Sequence, residues 1–271
     1  MTHTLKFAGL VLLTLVTVSA CHKKPKDEAA PGAPPVVAAP MSFAKSDADV
    51  DVRLSLPDPI KLYPELHARL YQEGVATLTA FIDQARKDHA QNSSDGFIEP
   101  PYSHAIDWKI SAQSERLVSL FAEEDDFQGG AHPNHTFQTL LWDKTGKDLL
   151  SASHLFAPGA DFKPINSYVC RQIEAARSKR AGEPITQGGS GFACPKFAES
   201  RLILLPSVQT GKIGAIGALY APYDVGPYAE GAYEIHVPQA MLTGLIAPEF
   251  ASQFGGEAVK AEALAKPVSK P

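Results

Sequence analysis

The sequence predicts an α+β fold: a single domain with a largely antiparallel sheet, packed with one long N-terminal helix and a second helix. Three observations lead to this prediction. Segments with alternating apolar and polar residues occur in blocks, two longer segments place apolar residues at intervals of three and four, and turn-forming stretches separate the alternating segments. Strands in blocks, with helices between the blocks, favour α+β over repeated βαβ units.

The first predicted elements are a strand and the long helix. Residues 47–56 alternate between apolar and polar side chains, which is typical of a half-buried strand, and Pro57 ends the run. From Leu62 to Ala90 the apolar residues fall three and four positions apart, with charged and amide side chains between them. This spacing predicts an amphipathic helix.

The remaining elements follow the same two periodicities and end in turns. We predict, in order, strands at 104–113, 116–122 and 136–142, a turn at 143–147, a helical turn at 153–156, the second helix at 161–180, strands at 202–205, 213–219 and 233–237, and a short helix at 239–245.

The composition indicates a globular protein and disfavours nucleic-acid binding. The chain has 271 residues, of which 44% are hydrophobic, and its mean hydropathy of -0.11 suits a globular body with a proper core. The net charge of -5 at pH 7 disfavours nucleic acid as a partner, because a protein that binds phosphates needs an excess of Lys and Arg.

The N-terminus has the pattern of a secretory leader. An apolar run from Phe7 to Val18 follows Lys6, and small residues precede Cys21. The run is shorter than the ~20 residues that a membrane-spanning helix needs. A cysteine at this place resembles the lipobox of bacterial lipoproteins, although Val18 stands where that pattern usually has Leu. The resemblance implies a lipid anchor on Cys21; an ordinary leader with a chance cysteine and an uncleaved short anchor are the alternatives.

These features divide the chain into four parts. We expect a lipoprotein signal peptide at 1–20, a tether rich in Pro and Ala at 21–46, the α+β domain at 47–250 and a flexible tail at 251–271. His22 follows the lipidated cysteine, and by resemblance to lipoprotein sorting rules this favours the outer membrane, with the domain facing the periplasm or the cell surface.

Two cysteines remain after Cys21. Cys170 and Cys194 form an even pair in an oxidising compartment, which makes a disulfide the expected state. The Gly-rich loop between them would gain about 3 kcal/mol from closure in the chain-entropy model. A catalytic thiol pair is the alternative, but it would normally require the spacing C-x-x-C.

Two Gly-rich motifs carry a family resemblance. Gly-Gly-Ala-His-Pro-Asn at 129–134 is followed by Trp-Asp-Lys-Thr-Gly-Lys-Asp-Leu at 142–149 and by Pro-Tyr-Asp-Val-Gly-Pro-Tyr-Ala-Glu-Gly at 222–231. In this order they resemble the extracytoplasmic domain shared by RsiV-type anti-sigma factors and the non-catalytic N-terminal part of PdaC-type peptidoglycan deacetylases. The resemblance covers roughly residues 48 to 246, and the Cys170–Cys194 loop departs from it.

The resemblance implies an envelope-facing domain whose known relatives contact lysozyme or cell-wall glycan. We expect neither deacetylase activity nor inhibition of a sigma factor, because no catalytic domain follows the motifs and the N-terminus has the pattern of a leader. The expected partners are the lipid anchor and a protein or peptidoglycan ligand.

The motifs also supply the candidate binding residues, each with a structural alternative. The glycines allow positive φ, and His132 before a proline is restricted to an extended shape. It could face solvent or satisfy a buried carbonyl. Aromatic rings beside a carboxylate could stack on a sugar or a protein side chain, or could pin the loop to the core. The candidates are Gly130, His132, Asn134, Tyr223, Tyr228 and Glu230.

Patterns for metal binding and nucleophilic catalysis are weak. The acidic run 123–126 lies near His132 and His135, but Pro133 between the histidines prevents a helical ligand pair. Ser190 misses the G-x-S-x-G pattern, because Phe192 stands in place of the last glycine. We therefore expect no metal, no cofactor and no catalysis.

The sequence therefore predicts an anchored, non-catalytic binding protein of the envelope. One alternative is a hydrolase of cell-wall glycan, with paired carboxylates near Asp224 and Glu230 or near Glu124 and Asp126. The other is a purely structural envelope lipoprotein.

Overall fold

A largely antiparallel sheet, a smaller antiparallel sheet and two long helices form the body of the domain. The computed structural model describes residues 38–94, 96 and 100–259, so the predicted signal peptide and Cys21 lie outside the described residues. The elements are β1 (Ser42–Ser46), β2 (Val50–Ser55), α1 (Pro64–Ser94), β3 (Tyr102–Gln113), β4 (Leu117–Phe127), β5 (Asn134–Asp143), β6 (Asp148–Leu150), α2 (Lys163–Ala181), β7 (Arg201–Pro206), β8 (Ile213–Tyr220), β9 (Tyr233–Pro238) and α3 (Pro248–Ala251).

The larger sheet has six strands in the order β1-β2-β3-β4-β5-β6, and the smaller has three in the order β7-β8-β9. Every pair is antiparallel except β2 and β3, which run parallel because α1 carries the chain back across the sheet between them. The α+β class, the largely antiparallel sheet and the two long helices are confirmed. None of the helices in the described part of the chain has the continuous apolar length that a membrane span requires.

Strand β4 explains how the layers are stacked. On one face of the strand, Val118 and Leu120 pack with buried residues of α1. On the other face, Phe121 packs against Ile203 and Leu205 of the smaller sheet. The first half of the strand, residues 117–122, is therefore buried on both faces, and apart from Ser119 its sequence is apolar rather than alternating.

Helix α2 covers the outer face of the smaller sheet. Its buried residues Ile165, Val169 and Ile173 lie in one cluster with Ile216 and Val237 of that sheet. The smaller sheet thus lies between α2 and the larger sheet, and its central strand β8 is buried along its whole length.

Folded structure extends past both predicted boundaries of the domain. Strand β1 lies in the segment predicted as tether, where it pairs with β2. Gln253, in the predicted tail, is buried and accepts hydrogen bonds from Ser114 Oγ (2.7 Å) and from the backbone N–H of Arg116 (2.9 Å). The chain thus remains packed on the domain through Val259, and the expectation of a flexible tail at 251–259 is corrected. The reason is a set of long-range polar contacts that no local pattern reveals.

Gly214 shows why this C-terminal segment fits against β8. A Cβ atom on Gly214 would lie 2.5 Å from the backbone nitrogen of Ala258. Ala258 is bridged to Ser207, so the segment is held in place by backbone hydrogen bonds. Glycine at this position therefore allows two backbones to approach closely.

We expect Gly214→Ala to lower the free energy of unfolding by about 1–3 kcal/mol, because a backbone atom rather than a flexible side chain must move aside. Thermal or urea unfolding of the purified domain measures the effect. Gly188→Ala is the matched control, since a Cβ there meets nothing within 4 Å. Equal stability of the two variants would contradict this account of the segment.

Candidate functional site

Two loops from different sheets bring three aromatic rings together. His132 lies between β4 and β5, and Tyr223 and Tyr228 lie between β8 and β9. The imidazole of His132 stacks on the Tyr228 ring, with the ring centroids 3.6 Å apart and the planes 16° from parallel. The Tyr223 ring lies 5.6 Å from that of Tyr228 and 6.3 Å from that of His132. We call these three residues the aromatic platform.

The backbone around the platform adopts conformations that few residues tolerate. Gly129 and Gly130 have φ values of 87° and 104°, in the region that favours glycine. Gly130 is therefore needed for the backbone conformation of this loop. Tyr223 has φ 74° although it carries a side chain. Its N–H donates to the carbonyl of Gly226 (3.0 Å), which holds the turn closed. Strain of this kind persists only where the surrounding structure fixes it, and it is often found at functional sites.

Hydrogen bonds fix the three side chains relative to one another. The Tyr228 hydroxyl donates to the carbonyl of Pro133 (2.8 Å), and Nδ1 of His132 lies 3.0 Å from the same oxygen. The Tyr223 hydroxyl lies 3.4 Å from Nε2 of His132. Burial raises the pKa of the Tyr228 hydroxyl, with further contributions from Asp125 and Tyr223, so this phenol stays protonated and can donate.

The platform faces solvent. Tyr223 is 56% exposed, His132 is exposed and Tyr228 is half-buried. Nδ1 of His132 contacts the carbonyl of Pro133, and Pro133 is itself exposed. His132 thus faces solvent and also bonds to a carbonyl, although not to a buried one. The two tyrosine rings are not packed into the hydrophobic core.

The acidic end of β4 lies beside the platform. Strand β4 continues to Phe127, so the run 123–126 is part of the sheet. The Asp125 carboxylate pairs with Nδ1 of His135 at 2.7 Å, and this contact lowers the pKa of Asp125. Asn134 is exposed and pairs with Asp126 at the start of β5. Within the described residues, no group of three or more His, Cys, Asp or Glu side chains is placed to hold a metal ion.

Glu230 does not lie exposed beside the two rings as its motif suggested. Its side chain is 15% exposed, and its two carboxylate oxygens accept hydrogen bonds from Nε and Nη2 of Arg177 at 2.8 and 3.0 Å. The hydroxyl of Tyr233 donates to the same carboxylate (2.6 Å). The Glu230 carboxylate is therefore bound by side chains of the protein itself and ties its loop to α2, which is the structural alternative given for this motif.

Arg177 is a buried residue beside the site that the sequence analysis did not single out. It is buried in α2, and its Nη1 donates to Gln187 Oε1 (2.6 Å) and to Ser190 Oγ (2.7 Å). Ser190 is thus a partner of Arg177. In the sequence Arg177 is one of several cations on a helix, and only its distant partners distinguish it.

Cys170 and Cys194 are joined by a disulfide, with their Cα atoms 5.2 Å apart. The predicted bond is thus present, and it closes the loop that supplies Gln187 and Ser190 to Arg177. Asp224, another candidate, accepts hydrogen bonds from the Ala221 N–H (2.8 Å) and from Arg201 Nη1 (3.0 Å), so its carboxylate holds the turn.

A separate open cleft of about 770 Å³ lies away from the platform, and its floor includes Phe156, Phe162 and Phe250. None of the platform residues lines it.

We expect Glu230→Gln to remove a pH-dependent part of the stability. Hydrogen bonding by Arg177 lowers the folded pKa of Glu230 below its ordinary value of 4.5. The ion pair therefore contributes fully above about pH 4.5, and its contribution is lost as the pH falls through the folded pKa. The variant should unfold about 2–3 kcal/mol more easily at pH 7, and the gap to the unmodified protein should shrink as the pH is lowered.

Urea unfolding between pH 7 and pH 3 measures this gap. The control is Glu199→Gln, because Glu199 pairs with Lys196 on the surface, where solvent screens the pair and its loss should change the stability little. A gap that stays constant across the pH range would contradict the assigned pair.

The chain matches two family models in succession. Residues 45–135 match the model described as Deacetylase PdaC, and residues 153–240 match the model described as Protein of unknown function (DUF3298). His132 lies in the first match, and both tyrosines of the platform lie in the second. No curated protein matches the chain.

Solved structures of DUF3298 family proteins are also similar. A member of that family from Bacteroides fragilis NCTC 9343 aligns with a TM-score of 0.52 at 14% identity, over 75% of this chain and 88% of that chain. A DUF3298 family protein from Pseudomonas aeruginosa PAO1 is 19% identical, with a TM-score of 0.48, over 80% of this chain and 94% of that chain. The resemblance drawn from the two Gly-rich motifs is confirmed, because a match to the PdaC model is followed in this chain by a match to the DUF3298 model.

Proposed function

We propose that this chain is a membrane-anchored envelope lipoprotein whose domain binds, without catalysis, a protein of lysozyme type or a cell-wall glycan. The observation that carries the proposal is the exposed platform of His132, Tyr223 and Tyr228. Three rings are held in fixed positions by two loops with strained backbone, and this arrangement presents binding groups at little further cost in conformational entropy.

The chemistry of the platform suits both ligand classes. Tyrosine combines a large apolar face with a hydroxyl, so it can stack on a sugar ring or on a side chain and still form hydrogen bonds. Such residues are enriched among those that dominate binding energy in protein interfaces. The half-exposed ring of Tyr223 is the group best placed for a first contact.

Charge favours a basic partner among the proteins. Asp125 lies close enough to the platform to affect the pKa of Tyr228, and the chain as a whole carries a net charge of -5. Acidic groups beside a binding surface attract a basic protein such as lysozyme and accelerate its association.

The carboxylates of the hydrolase alternative are already engaged. Glu230 pairs with Arg177 and has a lowered pKa, whereas a general acid needs a raised one. Asp224 pairs with Arg201, and Glu124 accepts a hydrogen bond from Gln138. These contacts favour the binding role over hydrolysis.

Substitution of Tyr223 tests the platform directly. Tyr223→Ala should weaken binding to lysozyme or to purified peptidoglycan by about tenfold or more, as expected when a main contact residue is truncated. Calorimetry with lysozyme and sedimentation with peptidoglycan measure the two ligands separately. Leu62→Ala is the control, because Leu62 is 72% exposed and lies outside the platform. Failure of the unmodified domain to bind either ligand, or equal binding by both variants, would overturn the proposal.

The anchor has its own test in the full-length chain. We expect the unmodified protein to sediment with membranes from a bacterial host, and its N-terminal peptide to begin at a diacylglyceryl-modified Cys21. Cys21→Ser should release the protein into the soluble fraction, whereas His22→Ala should stay with the membrane. Mass spectrometry that finds residues 1–20 still attached, or an unmodified thiol at position 21, would contradict the anchor.

A further inference from the structure

The side chain of Arg177 connects two loops that are distant in sequence. It is only 3% exposed, and its guanidinium forms a bidentate ion pair with the two carboxylate oxygens of Glu230. Through Nη1 it also binds Gln187 and Ser190. Bidentate pairs of this kind fix orientation as well as distance.

One of these loops is the segment 182–194, which the disulfide closes. Gln187 at its centre is fully buried, and its amide Nε2 donates to the carbonyls of Ala193 (3.3 Å) and Val225 (3.1 Å). The backbone N–H of Gln187 donates to Glu174 of α2 (2.9 Å). The disulfide ties the far end of the loop, at Cys194, to α2 at Cys170. These contacts hold the loop in one position against Arg177.

The other loop, 222–231, carries both tyrosines of the platform. Glu230 is two residues from Tyr228, and the Val225 carbonyl that accepts from Gln187 is two residues from Tyr223. A Cβ on Gly226 would lie 2.5 Å from Glu230 Oε2 and 3.0 Å from Arg177 Nε, so glycine is required where the loop passes over the ion pair. Arg180 adds hydrogen bonds to the carbonyls of Glu230 and Ala232.

We propose that Arg177 is a positioning residue of the aromatic platform, and that the loop closed by Cys170 and Cys194 holds it in place. Loss of the loop's contacts leaves Arg177 free to shift, Glu230 shifts with it, and the Tyr228 ring leaves its stack on His132. The ligand-binding consequence rests on the proposed function, whereas the effect on the stacked rings does not.

The test compares ring contacts and binding in the same set of variants. Gln187→Ala removes one acceptor of Arg177 together with the side-chain hydrogen bond to Val225, and it keeps the disulfide. The double variant Cys170→Ser/Cys194→Ser opens the loop. Ile82→Val, on the buried face of α1, is a mildly destabilising control outside the Arg177 network. Nuclear Overhauser effects between the His132 and Tyr228 rings report the stack, and peptidoglycan sedimentation and lysozyme calorimetry report binding.

We expect the ring-to-ring signal to fall strongly in Gln187→Ala and in the double variant, with binding weakened about tenfold in both, while Ile82→Val leaves both readouts unchanged. An undiminished ring-to-ring signal in the folded Gln187→Ala variant overturns the inference, whatever the binding result. A lost ring contact with unchanged binding supports the positioning role and refutes the proposed function instead. If the double variant does not fold, the ring-to-ring signal of Gln187→Ala alone tests the inference.

Discussion

The buried ion pair of Arg177 and Glu230 is the constraint on which the candidate site depends. Moving both charges out of water is costly, and such pairs often contribute little net stability compared with well-packed apolar residues. Their value lies in geometry, because the guanidinium can satisfy one carboxylate and two further oxygens only in one arrangement. That arrangement places a loop of the smaller sheet against a loop closed by a disulfide.

The platform also depends on how the two sheets are stacked. His132 follows β4 of the larger sheet, whereas the tyrosines follow β8 of the smaller one. The sheets meet through Phe121 and Phe137 on one side and the buried face of Ile203 and Leu205 on the other. Apolar packing between the sheets therefore brings the two Gly-rich motifs together, and the ion pair fixes the finer geometry. The platform also joins the segments of the two family matches, because His132 lies in the first match and both tyrosines lie in the second.

Local patterns in the sequence predicted most of the fold. The alternation at 47–56 became β2, and the spacing of threes and fours from 62 to 90 became α1. Short elements were missed where the signal is weak: β6 has three residues, and β1 lies in a segment whose prolines and alanines suggested a tether. The predicted short helix at 239–245 is a single 3₁₀ turn from Gln239 to Leu242.

The candidate site was predictable only in part, because its polar contacts join distant residues. The motifs contain His132, Tyr223 and Tyr228, and the sequence suggested the chemistry of these rings but not that they stack. Glu230 was assigned to the same surface because it follows the tyrosines, yet its partner lies 53 residues earlier in α2. Periodicity reports which face of a helix is buried, and it does not distinguish a buried arginine from its exposed neighbours.

The claim that a ligand binds on the platform can be tested most directly by mapping the contact surface. Isotope-labelled domain would be titrated with peptidoglycan fragments or lysozyme, and chemical-shift changes would be followed at every assigned aromatic ring. Our account predicts the largest changes at His132, Tyr223 and Tyr228. Changes confined to the cleft floored by Phe156, Phe162 and Phe250, with the three platform rings unaffected, would contradict it.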